Sequence, residues 1–162
     1  MGDSKALAAL LLAMLIPTMA CTHLRLSMRD PGEQLRDFPE IVSEEYRCGD
    51  RHLPFFQLEH NELVPVRVRA GGEFNHRMVY ALCPAGPTDV VRGTMATRIR
   101  FEGSSIVEDE IDDYVLRPGR WVVDALVRLP EDARIGVYAL EVEFESDDVS
   151  FTQTLTFAVE AG

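Results

Sequence analysis

The sequence predicts an all-β fold, an antiparallel β-sandwich of seven to eight strands. Beyond about residue 60, apolar and polar residues alternate with a period of two, which is typical of strands with one buried and one solvated face. Turn-forming residues separate the alternating runs, and no run shows the period of an amphipathic helix. Two such sheets are stable when their apolar faces pack together, so these observations favour a sandwich.

Composition limits both the number of domains and the class of partner. The chain has 162 residues, the length of one domain or of one domain plus a tail. It carries 16 Lys and Arg residues against 27 Asp and Glu residues, a formal net charge of −11. Because a phosphate-binding surface needs a basic excess, we expect no nucleic-acid partner.

The first 20 residues have the pattern of a secretory signal peptide. A short polar start that contains Lys5 precedes an unbroken apolar run at 6–16. A helix needs about 20 apolar residues to cross a bilayer, so this run is too short to span one. Residues 1–20 are therefore predicted to be a signal peptide.

Residues 18–21 (Thr-Met-Ala-Cys) resemble the lipobox of bacterial lipoproteins. Ala20 and Cys21 match that motif, whereas Thr18 stands where Leu is usual. The resemblance implies that Cys21 carries acyl chains, palmitate among them, and anchors the mature chain to a membrane. Thr22, in place of an Asp, further implies the outer membrane, on the periplasmic side, with the inner membrane as the alternative. A signal peptide cleaved without lipidation and a hydrophobic tail helix also remain open.

Residues 21–58 are predicted to form an irregular or partly helical spacer between the lipid and a domain at 59–162. Asp30 and Pro31 can cap and begin a short helix, and residues 40–47 can form one or two further turns. The segment is rich in charge and poor in apolar periodicity, which favours a surface location.

The strand pattern recurs along the predicted domain. Its runs are 64–69, 74–82, 95–101, the short pieces 106–107 and 114–116, 121–129, 138–144 and 151–159. We expect the apolar phase of the last three runs to form the core, with Trp121 and Leu140 at its centre. The residues of that phase are Trp121, Val123, Ala125, Tyr138, Leu140, Val142, Phe144, Leu155 and Phe157.

A turn led by Pro130, followed by Gly136, precedes Tyr138 on the next predicted strand. This arrangement resembles the penultimate hairpin of many bacterial immunoglobulin-like domains. The resemblance implies an immunoglobulin-like β-sandwich and no particular function, because sandwiches serve many unrelated functions.

Cys48 and Cys83 are the two cysteines left once Cys21 is assigned to the lipid. An export compartment permits disulfides, so we expect Cys48 and Cys83 to be bonded. The alternative, a redox or metal-binding pair, lacks both Cys-x-x-Cys spacing and a nearby ligand cluster.

The densest charge lies between Glu108 and Asp113, with five carboxylates in six residues. We expect a solvated loop, because like charges repel; a calcium site is the alternative, although the spacing is not that of an EF-hand. The histidines also lack the spacing of a zinc site on a helix. They are His23, His52, His60 and His76. The sequence therefore predicts no metal ion and no cofactor.

Arginine and glutamate side chains occupy the polar phases of the predicted strands. They are Arg67, Arg69, Arg98, Arg100, Arg128, Glu141, Glu143 and Glu145. We expect cross-strand ion pairs among them. The alternative is an arginine-lined face for an anionic glycan or lipid headgroup.

The chain lacks a nucleophile elbow, a phosphate loop and a dinucleotide-binding motif, so we expect no enzyme. The interpretation that remains is a non-catalytic cell-envelope lipoprotein whose sandwich binds another envelope protein or takes part in an envelope assembly. A glycan-binding module and a secretion-system assembly lipoprotein are the alternatives. A glycan-binding face needs exposed aromatic side chains, whereas Trp121 and Tyr138 fall in the apolar phase of their strands.

Replacing the predicted lipid site tests the anchor directly. Cys21→Ser removes the thiol that receives the acyl chains, so the variant is expected to move from the membrane fraction to the soluble fraction. Fractionation followed by immunoblotting measures the change against the unmodified chain. Unchanged membrane retention of Cys21→Ser would contradict lipidation at this residue.

Overall fold

The computed structural model describes residues 31–161, and nine strands and one α-helix lie within that range. In chain order they are β1 (Gly32–Asp37), α1 (Pro39–Tyr46), a 3-10 turn (Cys48–Asp50), β2 (Phe55–Val64), β3 (Arg67–Arg69), β4 (Glu73–Cys83), β5 (Val91–Phe101), β6 (Ser104–Leu116), β7 (Gly119–Arg128), β8 (Gly136–Glu145) and β9 (Ser150–Glu160). No helix in this part of the chain has the length and apolar character needed to cross a membrane.

The strands form two sheets that pack face to face. The first sheet has the order β1-β7-β4-β2, and the second sheet has the order β3-β9-β8-β5-β6. Neighbouring strands are antiparallel, except that β3 runs parallel to β9. The prediction of an all-β sandwich is confirmed.

The run predicted at 64–69 is not one strand. β2 ends at Val64 in the first sheet, and β3 begins at Arg67 in the second sheet. Pro65 stands at the crossing point, where it has no N–H group to donate to a ladder. Alternation at these residues is therefore interrupted by a change of sheet.

The acidic run from Glu108 to Asp113 is not a loop either. It lies within β6, which pairs with β5 through a tight turn at Glu102 and Gly103, both with positive φ. The prediction of a loop was wrong because charged side chains do not prevent the backbone of this segment from pairing with β5. An exposed edge strand can carry charges on its side chains while its backbone pairs with one neighbour.

The sandwich begins before the predicted boundary at residue 59. β1 pairs with β7, and Val42 of α1 is completely buried against the first sheet. The predicted spacer 21–58 therefore belongs to the domain in its described part, since β1 is paired within the first sheet and Val42 is buried against that sheet. The predicted signal peptide 1–20, the lipid site Cys21 and residues 22–30 lie outside the described range.

Two apolar clusters stabilise the domain. The larger one fills the space between the sheets and includes Tyr80, Leu116, Leu140 and Phe144. The smaller one lies on the outer face of the first sheet, under α1; it consists of Val42, Cys48, Ala81 and Cys83, with Tyr46, Leu53 and Phe55 against it. β4 is consequently buried on both faces.

The predicted disulfide between Cys48 and Cys83 is present, with their Cα atoms 6.0 Å apart. It joins the turn after α1 to the end of β4, 35 positions further along the chain. The bond therefore attaches the helical segment to the central strand of the first sheet.

The predicted core is correct for β8 and partly wrong for β7. Tyr138, Leu140, Val142, Phe144 and Phe157 are buried. Trp121, Val123 and Leu155 are partly buried against the core, and Ala125 is exposed. β1 pairs with β7 only as far as Asp124, so Ala125 lies where β7 has become the edge of the sheet. Trp121 does pair with β1, but its side chain is only partly buried, and its indole N–H donates to the Pro118 carbonyl oxygen at 2.9 Å, so it does not lie at the centre of the core.

Leu140 provides a test of the packing. Leu140→Ala is expected to lower the free energy of unfolding by about 2–5 kcal/mol, because this side chain is fully buried between the sheets. Arg128→Ala is the control and should cost less than about 1 kcal/mol, since the side chain is 71% exposed. Urea unfolding of both variants measures the difference, and equal losses would contradict the strand phase.

Candidate functional site

A polar groove crosses the outer face of the first sheet beside α1. It consists of two adjoining cavities of about 560 Å³ and about 390 Å³, which share Arg36 and Glu59 as lining residues. We call it the outer groove. Its remaining lining residues are Glu45, Tyr46, Gln57, Leu58, His60, Glu62, Arg77, Val79, Arg120 and Val122.

Two β-bulges place charged residues in the outer groove. The register of β1 with β7 shifts between Leu35 and Asp37, and the register of β2 with β4 shifts between Leu58 and His60. Arg36 and Glu59 are the extra residues at these shifts. A bulge interrupts the alternation of side chains, so two consecutive residues can face the same side of the sheet. Arg36 and Glu59 therefore face the groove, each next to a residue that also faces it.

Arg120 of β7 lies at the centre of this arrangement. Its guanidinium group donates to Glu59 of β2 at 2.7 Å, to Glu45 of α1 at 2.8 Å, and to Asp37 of β1. Arg120 is paired in register with Ala81 of β4, whose small side chain leaves space for the arginine to reach β2. The Tyr46 hydroxyl donates to the same Glu59 carboxylate at 2.7 Å. We call these five groups, with Arg120 at the centre, the Arg120 cluster.

The Arg120 cluster has one guanidinium against three carboxylates. Hydrogen bonds with Glu59, Asp37 and Glu45 raise the pKa of Arg120 above its ordinary value. Burial tends to raise the pKa of Glu59, but hydrogen bonds from Arg120 and Tyr46 outweigh it and hold that pKa below its ordinary value. Burial and the bond to Glu59 also raise the pKa of Tyr46.

These pKa shifts decide what the cluster can do chemically. Arg120 and Tyr46 keep their protons near neutral pH, and Glu59 stays ionised. A general acid or base works best with a pKa near the operating pH, and these shifts move all three groups away from it. The cluster is therefore suited to holding surfaces in place and to recognition.

A second ion pair lies further along the outer groove. Arg77 of β4 binds the buried Asp124 of β7 through two hydrogen bonds, of 2.9 Å and 2.7 Å. The bond with Asp124 raises the pKa of Arg77. Such bidentate pairs are among the stronger side-chain hydrogen bonds, so the charges in this part of the groove are also fixed in position.

The predicted cross-strand ion pairs are confirmed on the outer face of the second sheet. Arg98 bonds to Glu108 at 2.8 Å and Glu143 at 2.6 Å, and Arg100 lies 3.2 Å from Glu141. Because carboxylates engage these arginines, the face does not offer the free cationic charge that an anionic glycan or lipid headgroup would need.

The histidines do not form a common site. His52 and His60 are exposed, and His76 is buried with a 2.6 Å hydrogen bond to Asn61. Burial lowers the pKa of His76 to about 4, although the negative charge of Asp124 acts to raise it. Among residues 31–161, no three His, Cys, Asp or Glu side chains are grouped to hold a metal ion. His23 lies outside that range.

Sequence reasoning did not find the Arg120 cluster. Glu59 and Glu45 are 61 and 75 positions away from Arg120 in the chain, so no local spacing links them. The only local signal was an arginine at the start of an apolar strand, which also occurs at solvated strand ends.

No known family model and no curated sequence matches this chain. The alkylpurine DNA glycosylase AlkC of Pseudomonas fluorescens has a TM-score of 0.47 at 11% identity, over 65% of this chain and 30% of that one. The sporulation control protein Spo0M of Bacillus subtilis has a TM-score of 0.47 at 14% identity, over 66% of this chain and 50% of that one. A β-glucosidase of Listeria innocua has a TM-score of 0.44 at 11% identity, over 68% of this chain and 17% of that one. The chain thus spans half or less of each protein's length, and the likeness carries no inference about function.

Removing the cation of the Arg120 cluster is expected to destabilise the domain. Arg120→Gln leaves three carboxylates close together without their cation and should lower the free energy of unfolding by about 3 kcal/mol. Arg100→Gln is the matched control on the second sheet, where a 43% exposed arginine pairs with Glu141; its cost should be below about 1 kcal/mol. Urea unfolding near neutral pH measures both. A loss for Arg120→Gln no larger than the control's would show that the cluster is not a structural lock.

Proposed function

We propose that this chain is a non-catalytic cell-envelope lipoprotein, anchored through Cys21, that binds another envelope protein through the outer groove. The observation that carries the proposal is the rigid arrangement of charge in that groove. Arg120 and Arg77 are each held by carboxylates from neighbouring elements, so the surface is organised before any partner arrives. Preorganised side chains lose less conformational entropy on binding, which favours recognition.

The disulfide supports the location in the envelope. A buried Cys48–Cys83 bond is stable in an oxidising compartment such as the periplasm and is rare in a reducing cytosol. It agrees with export by the signal peptide 1–20 and with lipidation at Cys21. Residues 22–30 would then separate the lipid from β1. Thr22 after the lipidated cysteine supports the outer membrane as the destination.

The rim of the outer groove carries residue types that dominate protein interfaces. Arg36 and Gln57 are exposed there, and Tyr46 is half-buried beside them. Tyr and Arg are enriched among the residues that contribute most to binding energy at protein interfaces. By contrast, Trp121 and Tyr138 pack against the core, which favours a protein partner over a glycan. A secretion-system component is one class of envelope protein that such a partner could belong to.

We also propose that the sandwich is of the immunoglobulin-like type. The Tyr138 hydroxyl near the start of β8 donates to the Arg134 carbonyl oxygen, four positions earlier, at 2.7 Å. A tyrosine that bonds back to the backbone just before its own strand is a hallmark of immunoglobulin-type sandwiches. This contact supports the resemblance seen in the hairpin that Pro130 begins.

Site-specific crosslinking in intact cells tests the groove. A photoreactive amino acid at Gln57, on the exposed rim, is expected to form a covalent adduct with one envelope protein after illumination. The same amino acid at Thr154, exposed on the outer face of the second sheet, is the matched control and should not give that adduct.

A companion variant distinguishes specific binding through the outer groove from a crosslink that forms only because another protein is nearby. Arg36→Gln removes a charge that lines both cavities; Arg36 attracts Glu59 but forms no hydrogen bond of the Arg120 cluster, so the fold should be retained while the Gln57 adduct weakens. Equal adducts from Gln57 and Thr154, or none from Gln57 in correctly localised protein, would refute binding through the outer groove.

A further inference from the structure

β6 is the outermost strand of the second sheet and pairs with β5 alone among the described strands. Its 13 residues make it about 43 Å long, whereas the other edge strands β2, β1 and β3 have ten, six and three residues. On its open side, the backbone N–H and C=O groups have no strand partner within residues 31–161. Long open edges of this kind are templates on which another strand can pair.

The regular part of this edge is short and well defined. Register shifts occur at Ile106 and at 112–113, where Asp113 has a positive φ of 55°. Between these shifts, residues 107–111 pair with β5 without interruption. Within these five residues, alternate positions direct their backbone N–H and C=O groups to the open side, and the irregularity at each end would stop a longer strand from pairing.

The side chains of this stretch are acidic or apolar. Glu108 binds Arg98, whereas Asp109 and Glu110 are exposed and form no ion pair or side-chain hydrogen bond within the described part of the chain. Ile111 is 47% exposed, and Val107 is partly buried. An added strand would thus meet carboxylates in the middle and aliphatic side chains at both ends.

Charge decides which strand could occupy the edge. A second copy of β6 would set carboxylates opposite carboxylates, and like charges directly opposite each other destabilise a strand pair. The net charge of −11 adds repulsion between whole chains. Lysine or arginine opposite Asp109 and Glu110 converts that repulsion into attraction.

We propose that residues 107–111 of β6 accept an extended, basic segment of another protein as an additional strand of the second sheet. Backbone hydrogen bonds supply the affinity, and the acidic side chains select lysine or arginine at the central positions. This surface is separate from the outer groove, which lies on the first sheet. A partner could therefore engage the edge whether or not the groove is occupied.

A synthetic peptide tests the proposal on the purified full chain in a non-ionic detergent. The probe is an acetylated and amidated peptide of sequence Thr-Val-Lys-Lys-Lys-Val-Thr, whose central five residues read the same in both directions. Two matched peptides carry N-methyl groups at alternate backbone nitrogens, one set at odd and one at even positions. They keep every charge, but one of them loses the donors that face β6.

Titration calorimetry at low salt should show binding of the unmodified peptide and about tenfold weaker binding of one N-methylated peptide. Hydrogen exchange should slow at the N–H groups of residues 107–111 that face the open side, and not in the outer groove. Equal binding of all three peptides would show attraction between charges without strand addition and would overturn the proposal. No saturation by about 1 mM of the unmodified peptide would also overturn it, leaving the carboxylates as a device that only prevents self-pairing.

A pair of charge-reversed variants locates the binding site. Asp109→Lys with Glu110→Lys should weaken peptide binding about tenfold. Asp147→Lys with Asp148→Lys makes the same change of net charge in the exposed turn between β8 and β9 and should leave binding almost unchanged. Equal losses would mean that only the overall charge matters, which contradicts the proposed site. The peptide and exchange measurements on the unmodified chain decide the question even where a variant fails to fold. Since neither depends on Cys21 or Gln57, they are separate from the tests of the envelope role.

Discussion

Arg120 connects three segments that are distant in the chain, and the N-terminal half of the domain depends on that connection. Its guanidinium binds a carboxylate of β1, one of α1 and one of β2, while its backbone belongs to β7. An arginine can do this because its planar group presents five donors in a rigid fork. Because this one cation binds side chains of all three elements, it holds the charged lining of the outer groove in place.

The disulfide and the Arg120 cluster hold the same segment at two places. Cys48 and Cys83 attach the turn after α1 to the end of β4, and Glu45 attaches α1 itself to β7. Between them, Val42 is buried against Ala81 and Cys83. A helix of eight residues is too short to be stable alone in water, so these tertiary contacts are what keep it helical.

The acidic excess of the chain is distributed unevenly between its surfaces. On the outer face of the second sheet and in the outer groove, arginines take up many of the carboxylates. Along the open edge of β6, Asp109 and Glu110 have no such partner among the described residues. The same composition thus produces a groove whose charges are fixed and an edge whose charges remain available to a partner.

Much of the fold follows from local pattern. Alternation along β8 and β9 predicts their inward phase, because a side-chain period of two is a property of any strand with one buried face. The pair Cys48 and Cys83 was predictable from the small number of cysteines and from the prediction that the chain is exported. Prediction failed where partners were needed: at Pro65 the chain changes sheets, and β6 pairs despite its charge because β5 supplies one side of its ladder.

The candidate site was decided by tertiary structure alone. Arg36 and Glu59 face the outer groove because bulges interrupt the alternation of β1 and β2, and a bulge has no reliable signature in one sequence. Arg120 meets Glu45 and Glu59 only because the order β1-β7-β4-β2 brings their strands and α1 to one face. By itself the sequence determined the sandwich, the inward phase of its central strands and the disulfide, since these depend on periodicity and on the number of cysteines. The groove and the open edge depend on which strands become neighbours, and that is settled only when the whole chain packs.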